Sequence, residues 1–204
     1  MRNDFVRIAA VMAVSALFAG PATAQGENTG AQAGPPVLAK NLAPARMSAR
    51  LLVTSPAFTS GKTLDDRYTQ NGENMPPPLA WARGPTGTQS YVVLAEDSGV
   101  NRAEPIVHWI VYNIPGTVRN LSLEESLEGA LPNGAMQGKN AMGKQSYVGP
   151  KPPTGQTHPY HFQVFALSTR LDIDPANADR AAVLNAMKGR VVASGDVVGN
   201  YTGK

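Results

Sequence analysis

The sequence predicts a mostly-β domain with one helix near its C-terminus, and three observations lead to this fold class. Segments with a two-residue hydrophobic period recur along the chain, which is typical of strands. The best helical pattern, from Ala178 to Lys188, comes late in the sequence. Proline-rich stretches lie between the periodic segments, and they indicate long, stiff loops because proline fixes the backbone.

The strand pattern recurs in five segments that are rich in Val, Ile, Tyr and Phe and bounded by turn residues. In chain order they are Leu51 to Phe58, Ser90 to Glu96, Pro105 to Ile114, Tyr160 to Ser168 and Arg190 to Tyr201. Glycines within a strand mark bends or bulges. We therefore expect Gly195 and Gly199 to mark bends or bulges in the last strand.

The predicted helix from Ala178 to Lys188 has a signal at each end. Asn177 precedes it, and asparagine is a preferred N-cap residue because its side chain accepts from free backbone N–H groups. Gly189 follows it and can adopt the left-handed conformation that ends many helices. A shorter helical turn is predicted around Leu123 to Leu127.

The first 24 residues have the features of a secretory signal peptide. Arg2 and Arg7 give a positive start, Ile8 to Gly20 is a 13-residue apolar run, and Ala22 to Ala24 is a small-residue cleavage pattern. The apolar run is shorter than the ~20 residues that a membrane-spanning helix needs. We predict cleavage after Ala24, a periplasmic or secreted protein, and no transmembrane segment in the mature chain.

Residues 25–48 are rich in Gly, Ala, Pro, Asn and Gln and show no apolar periodicity. This composition favours a flexible leader, whose end could be tied to the domain. The compact domain is predicted to run from residue 49 to residue 204.

Charge and cysteine content exclude several classes of function. Without residues 1–24 the chain has 16 basic and 14 acidic side chains, and the basic residues are scattered. This small, dispersed charge does not favour nucleic acid or an anionic membrane as partner. The chain has no cysteine, which excludes disulfides, a thiol nucleophile and cysteine-ligated zinc.

One short motif approaches a nucleotide-binding loop. Gly138 to Lys144 reads GKNAMGK, but Gln145 stands where a phosphate-binding loop has the hydroxyl that coordinates magnesium. No strand-loop-helix context surrounds it, so a plain loop is the preferred interpretation. The chain also lacks G-x-S-x-G and H-E-x-x-H, the motifs of common hydrolase sites.

The three histidines are the strongest candidates for chemistry. His158 and His161 are three apart on a strand, so they lie on opposite faces and could not easily share a metal ion. His158 shares its face with Tyr160, whereas His161 is predicted at the surface. Taken alone, His108 favours a buried histidine bonded to the backbone, although its place near a strand start leaves room for a site.

Five separated blocks agree in order and spacing with one protein family. They are YTQNGENMPPPLAW, VVLAED, PIVHWIVYNIPG, YVGPKPPTGQTHPYHFQVFAL and VVASGDVVGNY. Through these blocks the chain resembles the phosphatidylethanolamine-binding proteins, in their bacterial Raf-kinase-inhibitor-like branch, from about Leu51 to Tyr201. The resemblance implies two antiparallel sheets in a Greek-key arrangement, a C-terminal helix, and an anion-accepting pocket at one end of the sheet.

The resemblance also implies which residues bind the ligand. Asp97 stands at the aspartate that opens the family's D-P-D-A-P block. His108 stands at the histidine before W-x-x-Y-N, and His158 at the histidine of G-x-H-R. The glycine- and proline-rich wall of the pocket falls on Gly149, Pro150, Pro152 and Pro153. Tyr160, on the face of His158, is expected to line the same pocket.

Two positions depart from the family pattern. SGVNRAEP follows Asp97 in place of P-D-A-P, so the second aspartate is lost. Pro159 stands where the family has arginine, which removes a guanidinium group and a backbone donor.

The function implied by the resemblance is a binding protein, not an enzyme, with no cofactor and no metal. It would hold a small anionic or phosphate-containing ligand, such as a phospholipid headgroup, and it could modulate a partner protein. An alternative is a module that inhibits a protease or acts on a signalling partner through its surface loops. A hydrolase that uses a pocket histidine as base is a further alternative.

Overall fold

The structure is a computed structural model that describes residues 34–46, 49–122, 131 and 134–204. The predicted signal peptide and the helical turn predicted at Leu123 to Leu127 lie outside these residues. None of the helices within the described ranges has the length and apolar character needed to cross a membrane.

Ten strands and two α-helices make up the described part of the chain. The strands are β1 (Ala49–Arg50), β2 (Val53–Thr54), β3 (Lys62–Thr63), β4 (Leu79–Trp81), β5 (Ser90–Asp97), β6 (Ile106–Pro115), β7 (Asn120–Leu121), β8 (Met136–Gln137), β9 (Thr157–Leu167) and β10 (Val191–Thr202). The helices are α1 (Ala39–Leu42) and α2 (Arg180–Met187). Short 3₁₀ turns lie at Asp66–Tyr68 and Pro175–Asn177.

Four long strands form the centre of a large sheet with the order β1-β10-β9-β5-β6-β8, and β3 also pairs with β10. The four long strands are antiparallel to one another, whereas the short β1 and β3 run parallel to β10. A smaller antiparallel sheet has the order β2-β4-β7. The predicted mostly-β fold with two sheets and a late helix is therefore confirmed.

Both faces of the large sheet are buried at β5. On β5, Tyr91 and Val93 contribute to the core that the large sheet shares with the small one. Val92 and Leu94 point to the opposite face and pack in a second core that includes residues of α1 and α2. Burial on both faces explains why β5 reads as a nearly continuous apolar run in the sequence.

The first predicted strand differs from the structure. Of Leu51 to Phe58, only Val53–Thr54 forms a strand, the short β2 of the small sheet, and β1 of the large sheet ends before this range, at Arg50. The pairing of β10 with β9 continues through Gly195 and Gly199, and its register shifts instead between Val191 and Ala193. Gly195 instead permits a close backbone approach, because a Cβ there would lie 2.0 Å from the carbonyl oxygen of Leu51.

The cap predicted for the late helix is wrong. Asp179 is the N-cap of α2, and its carboxylate accepts a hydrogen bond from the backbone N–H of Ala182 at 2.8 Å. Asn177 ends the preceding 3₁₀ turn. Gly189 has φ +67°, the left-handed conformation that the sequence predicted at the helix end.

Residues 37–46, here called the strap, pack across the second face of the large sheet. Ala39 and Ala43 are buried in the core on this face, and the backbone N–H of Arg46 donates to the carbonyl of Val191 at 3.0 Å. The sequence assigned these residues to a flexible leader whose end could be tied to the domain. The packed part of the chain therefore begins before the predicted boundary at residue 49.

Candidate functional site

A cavity of about 170 Å³ opens where β5 ends and where β6 and β9 begin. Asp97, the last residue of β5, is in register with Ile106 of β6 and with Tyr160 of β9. Because β5 is antiparallel to both neighbours, its C-terminal end lies between their N-terminal ends. Side chains from three strands thus meet at one edge of the sheet.

The cavity is lined by strand residues and by residues of the surrounding loops. Its lining residues are Gln70, Asp97, Ile106, His108, Ala141, Met142, Val148, Lys151 and Tyr160. Asp97, His108 and Tyr160 belong to the pocket that the sequence predicted. Gln70 and Lys151 lie within blocks that carried the family resemblance, but nothing in their local sequence marked them as lining residues.

Asp97 holds His158 in a buried pair. The Nδ1 atom of His158 is 2.8 Å from Oδ2 of Asp97, and Oδ1 of Asp97 accepts from the backbone N–H of Gly99 at 2.7 Å. The His158 ring packs against Gly99 so closely that a Cβ there would lie 2.4 Å from it. His158 is not among the lining residues, so it reaches the cavity through Asp97.

His108 presents an acceptor to the cavity at neutral pH. Its Nδ1 is 2.6 Å from the carbonyl oxygen of Val148, which can only accept, so Nδ1 carries the proton and the neutral ring leaves Nε2 unprotonated. Burial lowers the pKa of His108, and this effect exceeds the opposing effects of the Val148 carbonyl and the Asp97 charge. The Asp97 charge thus favours the protonated ring, but the burial of His108 outweighs it.

Tyr160 brings a buried hydroxyl to the cavity, beside the Asp97 carboxylate. Its ring meets the His108 ring edge to face, with the centroids 5.1 Å apart. The hydroxyl is buried near the Asp97 carboxylate, yet it has no well-formed hydrogen bond to any described residue. Burial, and then the Asp97 charge, raise the pKa of Tyr160, so the group remains a neutral donor.

The predicted glycine and proline wall lies outside the cavity lining. Gly149 fixes the loop, because its N–H donates to Asn74 Oδ1 and its carbonyl accepts from Gln70 Nε2, both at 2.7 Å. The carbonyls of Pro152 and Pro153 instead approach Gly203 near the C-terminus. Val148 and Lys151, from the same segment, do line the cavity.

Pro150 and His161 also lie away from the cavity. The Pro150 carbonyl accepts from the backbone N–H of Gln70 at 3.1 Å. His161 was predicted at the surface, but its side chain is only 15% exposed and contacts Asp196, with Nδ1 3.2 Å from Oδ2. Within the described residues, no cluster of three or more His, Asp or Glu side chains is arranged to hold a metal ion.

Residues 54–202 match the family model described as phosphatidylethanolamine-binding protein. The chain belongs to this family. Curated proteins similar to this chain include two that are called UPF0098 proteins. The Methanothermobacter thermautotrophicus protein is 37% identical over 145 residues, which are 71% of this chain and 94% of that protein. The Aquifex aeolicus protein is 36% identical over 153 residues, which are 73% of this chain and 86% of that protein.

Solved structures of the phosphatidylethanolamine-binding protein family share the fold. Escherichia coli YbcL, a member of the mammalian family by its published description, has a TM-score of 0.71 and 31% identity, covering 76% of this chain and all of that one. The Chlamydia trachomatis homologue CT736 has a TM-score of 0.68 and 30% identity, covering 77% of this chain and all of that one. The strap precedes the residues that match the family model.

Proposed function

We propose that this protein is an exported binding protein that holds a small phosphate-containing ligand, such as a phospholipid headgroup, in the cavity beside Asp97, His108 and Tyr160. The observation that carries the proposal is the buried Tyr160 hydroxyl, which lacks a well-formed hydrogen bond to the described residues and borders a cavity. A buried unpaired hydroxyl costs about 1–3 kcal/mol. A ligand oxygen that accepts from it would recover part of that cost.

The charges around the cavity favour a ligand with both an anionic group and a donor. The Tyr160 hydroxyl can donate to a phosphate oxygen, and the exposed Lys151 adds a positive charge to the lining. The Asp97 carboxylate repels a dianion but can accept from an ammonium or from a protonated phosphate. Phosphoethanolamine has an anionic oxygen for Tyr160 and an ammonium for Asp97.

Protonation of His108 would strengthen this binding. The neutral ring offers only an acceptor at Nε2, whereas the protonated ring donates to a phosphate oxygen. A bound anion favours the protonated form, so affinity should rise as the pH falls. Since burial lowers the pKa of His108, most of this rise should lie below pH ~6.5.

Calorimetry with phosphoethanolamine and with inorganic phosphate at pH 6 tests the proposal. Tyr160→Phe removes the hydroxyl but keeps the ring against His108, and we expect about tenfold weaker binding, or ~1.4 kcal/mol. Tyr112→Phe is the matched control, because its hydroxyl donates to the Ile173 carbonyl away from the cavity. Binding that is unchanged in Tyr160→Phe, or the absence of millimolar binding of either ligand, would refute the proposal.

Export is the part of the proposal that rests on residues 1–24 alone. Their positive start, apolar run and small-residue cleavage pattern support passage across a membrane into the periplasm or the medium. Phospholipid headgroups are accessible from that side of the membrane, which is consistent with the ligand class proposed for the cavity.

A further inference from the structure

A buried carboxylate, Glu96, joins the strap to the large sheet. Its Oε2 accepts from the backbone N–H of Ala39 at 2.8 Å and from Gln163 Nε2 at 2.7 Å. Its Oε1 accepts from Arg180 Nε at 2.7 Å, and Arg180 Nη2 donates to the strap carbonyl of Val37 at 2.7 Å. The strap, β5, β9 and α2 therefore meet at one carboxylate whose side chain is fully buried.

A second set of polar contacts holds the strap next to Glu96. Gln163 Oε1 accepts from the backbone N–H of Lys40 at 2.9 Å, so one amide links the strap to the carboxylate. The Lys40 ammonium pairs with Asp196 Oδ2 at 2.7 Å, and the same oxygen contacts His161. The strap is thus fixed by backbone and side-chain hydrogen bonds as well as by apolar packing.

The strap network is directly behind the cavity. Glu96 and Asp97 are consecutive on β5, and their side chains point to opposite faces, as strand geometry requires. Glu96 binds the strap on one face while Asp97 binds His158 on the other. A shift of the β5 end that changes one of these contacts would therefore change the other.

The loop that follows β5 also contacts both the strap and the site. The strap N–H of Val37 donates to the carbonyl of Ala103 at 3.3 Å, and Ser98 Oγ is 3.1 Å from His161 Nε2. In the same loop, Gly99 donates to Asp97 and packs against the His158 ring. The loop from 98 to 104 is held between the strap network and the buried histidine.

We propose that the strap is a positioning element for the cavity and that its docking is coupled to ligand binding. The docked strap supplies the Ala39 N–H to Glu96 and so holds the end of β5 where Asp97 meets His158 and Gly99. The part of this inference that concerns ligand binding rests on the proposed function. Because coupling is reciprocal, a ligand that binds better to the docked form must also lower the population of the undocked strap.

Ala39→Pro tests the coupling with little backbone strain. Ala39 is the first residue of α1, where proline is well tolerated, and Leu38 already has the extended conformation that precedes proline. The substitution removes the N–H that Glu96 accepts. Glu96→Gln is the second variant, because an amide cannot accept at both ends. Asn41→Ala, at an exposed strap residue, is the matched control.

Two measurements on the full chain separate this inference from the proposed function. The first needs no ligand and follows the Nδ1–H proton resonance of His158, which reports its bond to Asp97. We expect it to shift or broaden in both variants and to stay unchanged in Asn41→Ala. The second is hydrogen exchange of residues 37–46 with and without phosphoethanolamine, together with the affinity of each variant.

We expect phosphoethanolamine to slow exchange in the strap, and the two variants to bind it at least about fivefold more weakly. Variants with a faster-exchanging strap but an unchanged His158 resonance and unchanged affinity would overturn the coupling. If neither Ala39→Pro nor Glu96→Gln changes the hydrogen exchange of residues 37–46, the coupling is also overturned. If the wild type binds no ligand, the proposed function fails, and the His158 resonance still decides whether the strap positions the site.

Discussion

Removal of the Arg180 guanidinium should destabilise the fold through the charge that it leaves behind. Glu96 has no exposed side-chain surface, and Arg180 is only 11% exposed. Breaking a buried ion pair from one side costs about 3–5 kcal/mol, because the remaining charge is buried without its partner. Glu96 keeps two neutral donors, from Ala39 and Gln163, so we expect the lower end, about 3 kcal/mol, for Arg180→Met.

Urea unfolding and thermal melts of a double-mutant cycle measure this effect. A loss of ~3 kcal/mol corresponds to a Tm decrease of about 6–12 °C for a domain of this size. Adding Glu96→Gln to Arg180→Met removes the buried charge, so the double variant should be more stable than the sum of the single changes predicts, by at least ~1.5 kcal/mol.

The exposed pair of Arg67 and Glu73 provides the control for this cycle. Its side chains are 43% and 56% exposed, and exposed pairs contribute less than about 1 kcal/mol. Arg67→Met should therefore change the Tm little. Additive effects of Glu96→Gln and Arg180→Met within ~0.5 kcal/mol, or equal effects of Arg67→Met and Arg180→Met, would refute the reasoning.

Three further predictions concern pH, capping and processing. The folded state keeps His108 neutral, whereas the unfolded state takes up its proton near pH ~6.5. The contribution of His108 to the free energy of unfolding should therefore be greatest above that pH and should decrease as the pH falls to the lowered pKa. His108→Gln should flatten this pH dependence in urea titrations. Asp179→Ala should cost about 1 kcal/mol and Asn177→Ala almost nothing in the same titrations, and equal losses would contradict the assigned cap. Mass spectrometry of exported protein should find Gln25 as the first residue, and a retained Ala24 would place cleavage elsewhere.

Local sequence patterns predicted the four long strands of the large sheet. They failed where contacts with residues distant in the sequence decide the local structure. β5, β6, β9 and β10 carry their hydrophobic period in their own residues, and their observed limits lie within a few residues of those predicted. Residues 51–58 have a similar composition but form only the two-residue strand β2, whose pairing with β4 depends on residues distant in the sequence. The cap of α2 was misplaced because Asn177 and Asp179 are equally good capping types, and the preceding 3₁₀ turn decides between them.

The sequence by itself determined the fold class and the family, because strand periodicity and five ordered blocks can be recognised residue by residue. The tertiary structure alone decided that the strap docks on the sheet, since Glu96 and Ala39 are 57 residues apart and neither has a distinctive local context. It also decided the protonation of His108, because the degree of burial that lowers its pKa is set by side chains from other elements. Contacts between distant residues, and the loss of water that they cause, have no signature in a short stretch of sequence.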